Sequence, residues 1–303
     1  MNRSPSLSVD AHGVYMPGYA ADLESKAIGF DPMGILGDFD YGRIRKTSEG
    51  STLREYWIRA EALEVEVAPG VKYEAWTYNG RIPGPTIRAT EGDRLLIHFE
   101  NATAHPHTMH FHGIHPGSMD GVFESVAPGA SFDYEFDALP VGVHPYHCHI
   151  MPLASHISRG LYGTFIVDPK GGRPKVDREM VMVMSGIDLD FDNVNDLYAV
   201  NFIPFFYDRH PIGVRTGEKL RIYLVNMLEF DPVNSFHLHA NFFDYYPTGT
   251  SLVPAAYTDT VSQVQAERGI LEFSYRYPGK YMFHAHKTEF AELGWTGLFD
   301  VKD

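Results

Sequence analysis

Cysteine is nearly missing from this 303-residue chain, which has only Cys148. One thiol cannot close an intrachain disulfide, a CxxC redox pair, or a multi-cysteine zinc or iron–sulfur site, so any metal chemistry must lean on other ligands. Long apolar runs are missing too. The most apolar short stretch, Met180 to Met184, is strand-length and falls far below the ~18 residues of a membrane span. Positive charge is scarce: Lys+Arg 25 against Asp+Glu 39 leaves −14, which repels phosphate backbones and anionic lipid and argues against a nucleic-acid partner. With 44% hydrophobic and 21% charged residues, neither disorder nor a fibrous repeat fits. The start, MNRSPSLSVDAHG, has no apolar core of a secretory signal.

Long helical periodicity is also scarce. From Glu55 onward, alternating and β-branched runs such as EYWIRAEALEVEVA, DRLLIHFEN and GTFIVDP alternate with Gly/Pro turns such as YNGRIPGP and DPKGGRP. This pattern predicts an antiparallel all-β fold of many short strands. Residues 1–53 lack periodicity and read as an N-terminal arm over the domain surface, and Asp168 to Pro174 reads as a linker. An internal repeat supports the division into domains at 54–169 and 175–303. Thr90-Glu-Gly-Asp-Arg-Leu-Leu-Ile-His-Phe-Glu-Asn101 recurs as Arg215-Thr-Gly-Glu-Lys-Leu-Arg-Ile-Tyr-Leu-Val-Asn226. Gly142-Val-His-Pro-Tyr-His-Cys-His149 is echoed by Gly279-Lys-Tyr-Met-Phe-His-Ala-His286, and Gly160-Leu-Tyr-Gly163 by Gly294-Trp-Thr-Gly297. Two copies of one β-sandwich follow, each with its own core.

What is abundant is histidine: sixteen residues, among which four His-x-His pairs stand out at His110/His112, His147/His149, His237/His239 and His284/His286. Alternate strand residues share a face, so each pair offers two imidazoles to one site. A single pair would be explained by hydrogen bonding alone. Four pairs at matching places in two repeats mark metal sites instead, and imidazole suits copper, zinc, iron and nickel. Parity separates a second site: His107 and Cys148 sit at odd offsets from the pairs and point to the far face of the first domain, with His156 available downstream. Two histidines, a thiolate and a weak axial group make the blue-copper arrangement. The second repeat has Asn234, Ala285 and Phe290 at the positions of His107, Cys148 and His156, so the thiolate site exists once per chain.

At HTMHFHG, HPYHCHI, NSFHLHA and MFHAH the sequence resembles the two-domain, laccase-like multicopper oxidases, over about residues 54–303. The resemblance implies two cupredoxin-like Greek-key β-sandwiches and four coppers per chain: one type 1, one type 2 and two type 3. Position by position, it makes His107, Cys148 and His156 type 1 ligands, and His110 and His237 type 2 ligands. His112, His147, His149, His239, His284 and His286 become ligands of the type 3 pair. The Cys148 to His156 spacing is eight residues where the family usually has five, with Met151 inside the longer loop. Leu161 stands where the family often has a methionine and cannot coordinate, so Met151 is the expected axial group. Asp120, in Ser-Met-Asp-Gly, takes the place of the family's domain 1 aspartate and is the candidate proton relay, although an Asp-Gly turn alone would also explain it.

The implied activity is one-electron oxidation of phenols or aromatic amines coupled to four-electron reduction of dioxygen to water, in a homotrimer with interchain clusters. Export to the periplasm or outside the cell is expected, with a signal not present in this numbering. Two alternatives remain open. A copper nitrite reductase, also of two cupredoxin domains, needs a mononuclear catalytic copper on three histidines and has no use for eight paired ones. A non-enzymatic blue-copper electron carrier would need only the thiolate site.

Overall fold

The computed structural model describes residues 8–10, 13–15 and 28–303 apart from 49. Residues 1–7, 11–12, 16–27 and 49 of the expected arm therefore lie outside the described residues. Its last part is not a loose cover: Phe39–Asp40 and Arg43–Lys46 form edge strands of the first domain, paired with Thr86–Thr90 and Thr52–Ala68. The helix Pro32–Ile35 belongs with the second domain, where Tyr207 donates from its hydroxyl to the Pro32 carbonyl at 2.7 Å.

Each repeat is a two-sheet sandwich, and the strands are cupredoxin-like throughout. In the first domain, one sheet runs Ser131–Asp137, Arg94–Asn101, Thr52–Ala68, Arg43–Lys46, with Val71–Tyr78 also on Thr52–Ala68; the other runs Phe39–Asp40, Thr86–Thr90, Tyr162–Asp168, Gly142–His147, His110–Phe111. Pairing is mixed rather than purely antiparallel. Thr52–Ala68 lies parallel to Arg94–Asn101, and Thr86–Thr90 parallel to Tyr162–Asp168. The second domain repeats both parallel pairs, with Arg178–Ile187 beside Leu220–Asn226 and Ile212–Arg215 beside Thr296–Lys302. Alternation along a strand reports which face is buried, not the direction of its neighbour, and connections that cross between sheets set strands from distant parts of the chain side by side.

The first domain has its own core around Leu95, Ile97, Phe99, Phe111, Tyr146 and Phe165, and this core includes Cys148 and Leu161. The second core, built on Met180 to Met184 and Leu220 to Val225, extends across the domain boundary to Tyr73, Val143, Ile157 and Tyr162. The domains thus share apolar contact, which restricts their relative motion. An ion pair adds to it beside the linker: Arg88, which also donates to Asp168, donates across to Glu179, each at 2.7 Å, and within the second domain Arg221 donates to Glu179 at 2.8 Å and Glu272 at 2.6 Å.

Candidate metal centres

Strand ends bring the histidines together. His147 faces His110 in the Gly142–His147 and His110–Phe111 ladder, and His284 faces His237 in the equivalent ladder of the second domain. His110, His112 and His147 present ring nitrogens within 4.8 Å of one another, as do His237, His239 and His284. His149 joins the first group with its ring 5.3 Å from that of His110, and His286 joins the second with its ring 5.0 Å from that of His237. Among the described residues the two quartets form separate clusters, and His239 and His286 are exposed.

The backbone fixes which nitrogen of these rings is free. His147 donates from Nδ1 to the Cys148 carbonyl at 2.9 Å, and His284 from Nδ1 to the Ala285 carbonyl at 2.6 Å. His110 donates from Nδ1 to the Asp120 carbonyl at 2.7 Å. In each case Nε2 is left as a lone pair, which is the usual way a neighbouring acceptor orients a ligating imidazole. The His112 and His147 Nε2 atoms stand 3.3 Å apart, and those of His239 and His284 2.8 Å apart. Burial, then His147 and His110, push His112 down to about 3; burial, then His110 and His149 against the bond to Cys148, push His147 down to about 4. Neutral imidazoles converging in this way are donors waiting for a cation.

The sequence missed two supports. Thr108 accepts from the His149 N–H through its hydroxyl at 3.0 Å, and Ser235 does the same for His286 at 2.8 Å. Asp259 and Thr260 are the second domain's counterpart of Asp120: His237 donates from Nδ1 to the Thr260 hydroxyl at 2.8 Å and to the Asp259 carbonyl at 3.1 Å. Asp120 is ten residues beyond His110 but Asp259 is twenty-two beyond His237, so no spacing links them. The Asp120 carboxylate lies 3.2 Å from His110 Nδ1 and 3.7 Å from His115 Nε2. Gly121, at φ 70, holds that turn against the strand; a Cβ there would stand 2.0 Å from the Met109 carbonyl oxygen.

His107, Cys148 and His156 converge as a separate group, their ligand atoms within 4.8 Å of one another. His107 Nδ1 and His156 Nδ1 are 3.1 Å apart, and the Cys148 sulfur is 3.7 Å from the first and 3.3 Å from the second. Donors held at 2.0–2.3 Å around a trigonal centre stand roughly 3.5–4 Å apart, so these three fit one metal ion with a small outward shift. The soft donor set selects copper. All three are buried, and the Thr108 N–H points to the sulfur at 3.5 Å. Burial, then His156 and His105, lower His107 to about 3; burial, then His105 and Arg159, lower His156 to about 4; burial raises the Cys148 thiol. A cation must displace that proton to gain the thiolate.

Met151 is not brought to this group. Its side chain is 77% exposed, because the enlarged loop turns it outward before the helix Leu153–Ser158 carries His156 in. Leu161, fully buried in the same core as Cys148, accepts the Cys148 N–H at 3.0 Å through its backbone carbonyl.

The multicopper oxidase pattern matches this chain twice, at residues 59–172 and 177–303. A solved multicopper oxidase superposes with a TM-score of 0.91 at 58% identity, covering 92% of this chain and 100% of its own. The chain belongs to the multicopper oxidase family. It is also similar to a copper nitrite reductase structure from Nitrosomonas europaea, with a TM-score of 0.76 at 29% identity over 82% of this chain and 94% of that one. Among curated proteins it is 29% identical over 255 residues to the copper-containing nitrite reductase of Neisseria meningitidis serogroup A, covering 76% of this chain and 64% of that protein. Laccase-2 of Botryotinia fuckeliana is 35% identical over 130 residues, 40% of this chain and 22% of its own. The chain therefore spans less than two thirds of the curated nitrite reductases it matches.

Proposed function

We propose that this copper oxidoreductase is a laccase-like oxidase, which takes single electrons from phenols or aromatic amines and passes four, with four protons, to dioxygen to form two waters. The observation that carries it is the pair of complete histidine quartets, with His147 and His149 flanking Cys148. A mononuclear nitrite site uses three histidines, and the remaining ones would then be without purpose.

Copper, when bound, supplies the one-electron steps and the affinity for dioxygen. The chain supplies the route and the protons. Cys148 is one peptide bond from both His147 and His149, and the His147 Nδ1–H bond to the Cys148 carbonyl at 2.9 Å adds a second, hydrogen-bonded path between the two sites. Asp120 takes and returns a proton beside His110, and Asp259 is placed for the same task beside His237.

Each quartet is half a site. We place the complete trinuclear site between the first domain of one chain and the second domain of another, in a cyclic homotrimer, because a heterologous contact that closes gives a ring. Four coppers per chain follow: one at His107, Cys148 and His156, and three shared between paired quartets. Among the described residues no helix is long and apolar enough to cross a membrane, and copper–thiolate chemistry fits the periplasm or the exterior.

Nitrite reduction is the second reading, favoured by the 29% identity to the Neisseria meningitidis enzyme. Steady-state oxygen uptake by the copper-loaded protein with a panel of phenols, ferrous and cuprous ions, run beside nitrite, separates the two. Phenol-driven oxygen uptake without nitrite loss supports the oxidase; nitrite consumption with no oxygen uptake overturns it. A count of about one copper per fully loaded chain would leave only an electron carrier.

A further inference from the structure

Arg159 follows His156 by three residues, at the end of the helix Leu153–Ser158. Its guanidinium carbon lies 4.9 Å from the centre of the Trp76 ring and 3.7 Å from that of Phe191. Trp76 in turn lies edge-on to both imidazoles of the thiolate site, 5.2 Å from the His107 ring and 4.9 Å from the His156 ring. A cation is thereby stacked on the one indole that walls both histidine ligands. The backbone locks the arrangement, since the Trp76 N–H donates to the Arg159 carbonyl at 2.9 Å and Arg159 Nη1 donates to the Glu74 carbonyl at 3.1 Å.

Phe191 belongs to the second domain. It stands at φ 62 in the loop after Arg178–Ile187, and its ring also packs 5.5 Å from that of Tyr73, whose hydroxyl donates to the Ser158 carbonyl at 3.1 Å. The second domain therefore fixes a first-domain cation beside the thiolate site. The nearest opposite charge, the Glu74 carboxylate at 3.9 Å, is 71% exposed and screened by water, whereas the Arg159 side chain is 18% exposed.

We propose that Arg159, held against Trp76 by Phe191, is a positioning residue that raises the reduction potential of the thiolate site and so sets which reductants can deliver electrons. The proposal rests on the reading that His107, Cys148 and His156 hold copper. Two neutral imidazoles and one thiolate leave that site with net charge +1 when cupric and zero when cuprous. A fixed cation in a dry setting disfavours the more positive state. In the exchange the reductant loses one electron and the site gains it, with no bond made or broken and no proton moved on Arg159 or Trp76.

The test is an anaerobic redox titration of the copper-loaded full chain against hexacyanoferrate(II)/(III), reading the bleaching of the visible thiolate-to-copper band. In Arg159→Gln the cuprous-to-cupric ratio at a fixed couple is expected to fall about tenfold, or 59 mV for one electron. Arg159→Lys, which keeps the charge, should recover most of it, and Phe191→Leu, which keeps Arg159 but loosens it, should give a smaller shift of the same sign. An unchanged ratio in Arg159→Gln with the band intact overturns the role of Arg159. A ratio lowered equally in Arg159→Lys and Arg159→Gln overturns the charge account. A wild-type protein that takes up copper without the band overturns the copper–thiolate reading beneath both.

Discussion

Leu161 and Trp295 occupy the same place in the two halves of the chain. Leu161 accepts the Cys148 N–H at 3.0 Å and Trp295 accepts the Ala285 N–H at 3.2 Å; the N–H of each returns to the carbonyl of the residue five earlier, His156 or Phe290. The backbone of the thiolate site is thus built twice and furnished once. In the second copy the Trp295 indole, fully buried, donates to the Asn234 side chain at 3.1 Å, where the first copy has His107.

A cysteine alone will not create a second blue site. In Ala285→Cys the flanking positions are an amide, Asn234, and a benzene ring, Phe290, so the visible copper–thiolate absorbance per chain is expected to stay at the wild-type value. Trp295→Ala, by contrast, empties the place and should cost about 3–5 kcal/mol, read by chemical denaturation. A second band in Ala285→Cys would mean that the indole yields to metal.

Leu161 is buried in the same core as Cys148, whereas Met151 is exposed. Met151→Leu is expected to leave the visible spectrum and the reduction potential unchanged, since the side chain is 77% exposed. Leu161→Met introduces a thioether beside the sulfur and should shift both, because the axial ligand tunes such sites. A spectrum lost in Met151→Leu would return the methionine to the ligand set.

The contrast between these two residues shows what the sequence could and could not carry. Parity read along strands set the paired histidines apart from His107 and Cys148, although only His110 and His147 of these first-domain residues lie within the strands themselves. The eight-residue loop from Cys148 to His156 has no period, so the direction of Met151 could not be read from it. Asp259 was hidden for the same reason: it reaches His237 by strand pairing, through Thr260 opposite His237, and not by chain spacing. Trp76 and Phe191 meet Arg159, three residues beyond His156, from distant elements, and no single-sequence pattern brings them together.

Asp120 and Asp259 should separate proton supply from metal binding. Asp120→Asn keeps the backbone carbonyl that orients His110 and removes only the carboxylate, so copper content is expected to hold while oxygen consumption falls roughly 10²–10⁴-fold. Asp259→Asn, with its carboxylate 4.0 Å from His237 Nδ1, should show a weaker loss of the same kind. A variant that loses copper in proportion to activity would make the carboxylate a structural support instead.

Glu179 links the domains and gives acid stability a defined window. Burial would raise its pKa, but hydrogen bonds from Arg88, Tyr223 and Arg221 override it and hold the carboxyl down from 4.5 to about 2. A depressed carboxylate contributes stability that is full above the unfolded value and is lost as pH falls from about 4.5 through about 2. With the side chain 23% exposed, the shift corresponds to about 3 kcal/mol. Glu179→Gln is expected to unfold earlier in denaturant at neutral pH and to lose less stability on acidification than the wild type; equal acid losses in both would assign the acid sensitivity to other carboxylates.

On the proposal that each quartet is half a trinuclear site, two inactive proteins should rescue each other. His110→Ala spoils the first-domain half and His237→Ala the second-domain half, so each variant alone is expected to have no oxidase activity. If the site closes between chains, co-refolding equal amounts lets an intact first domain of one variant meet an intact second domain of the other at roughly a quarter of the contacts in a ring. Oxygen uptake should then return to about that fraction of wild type, although no chain in the mixture is whole. If the site closes within one chain, every site in the mixture carries a defect, and activity stays absent whatever the ratio or assembly. The mixture therefore reports the location of the site independently of the size of the assembly.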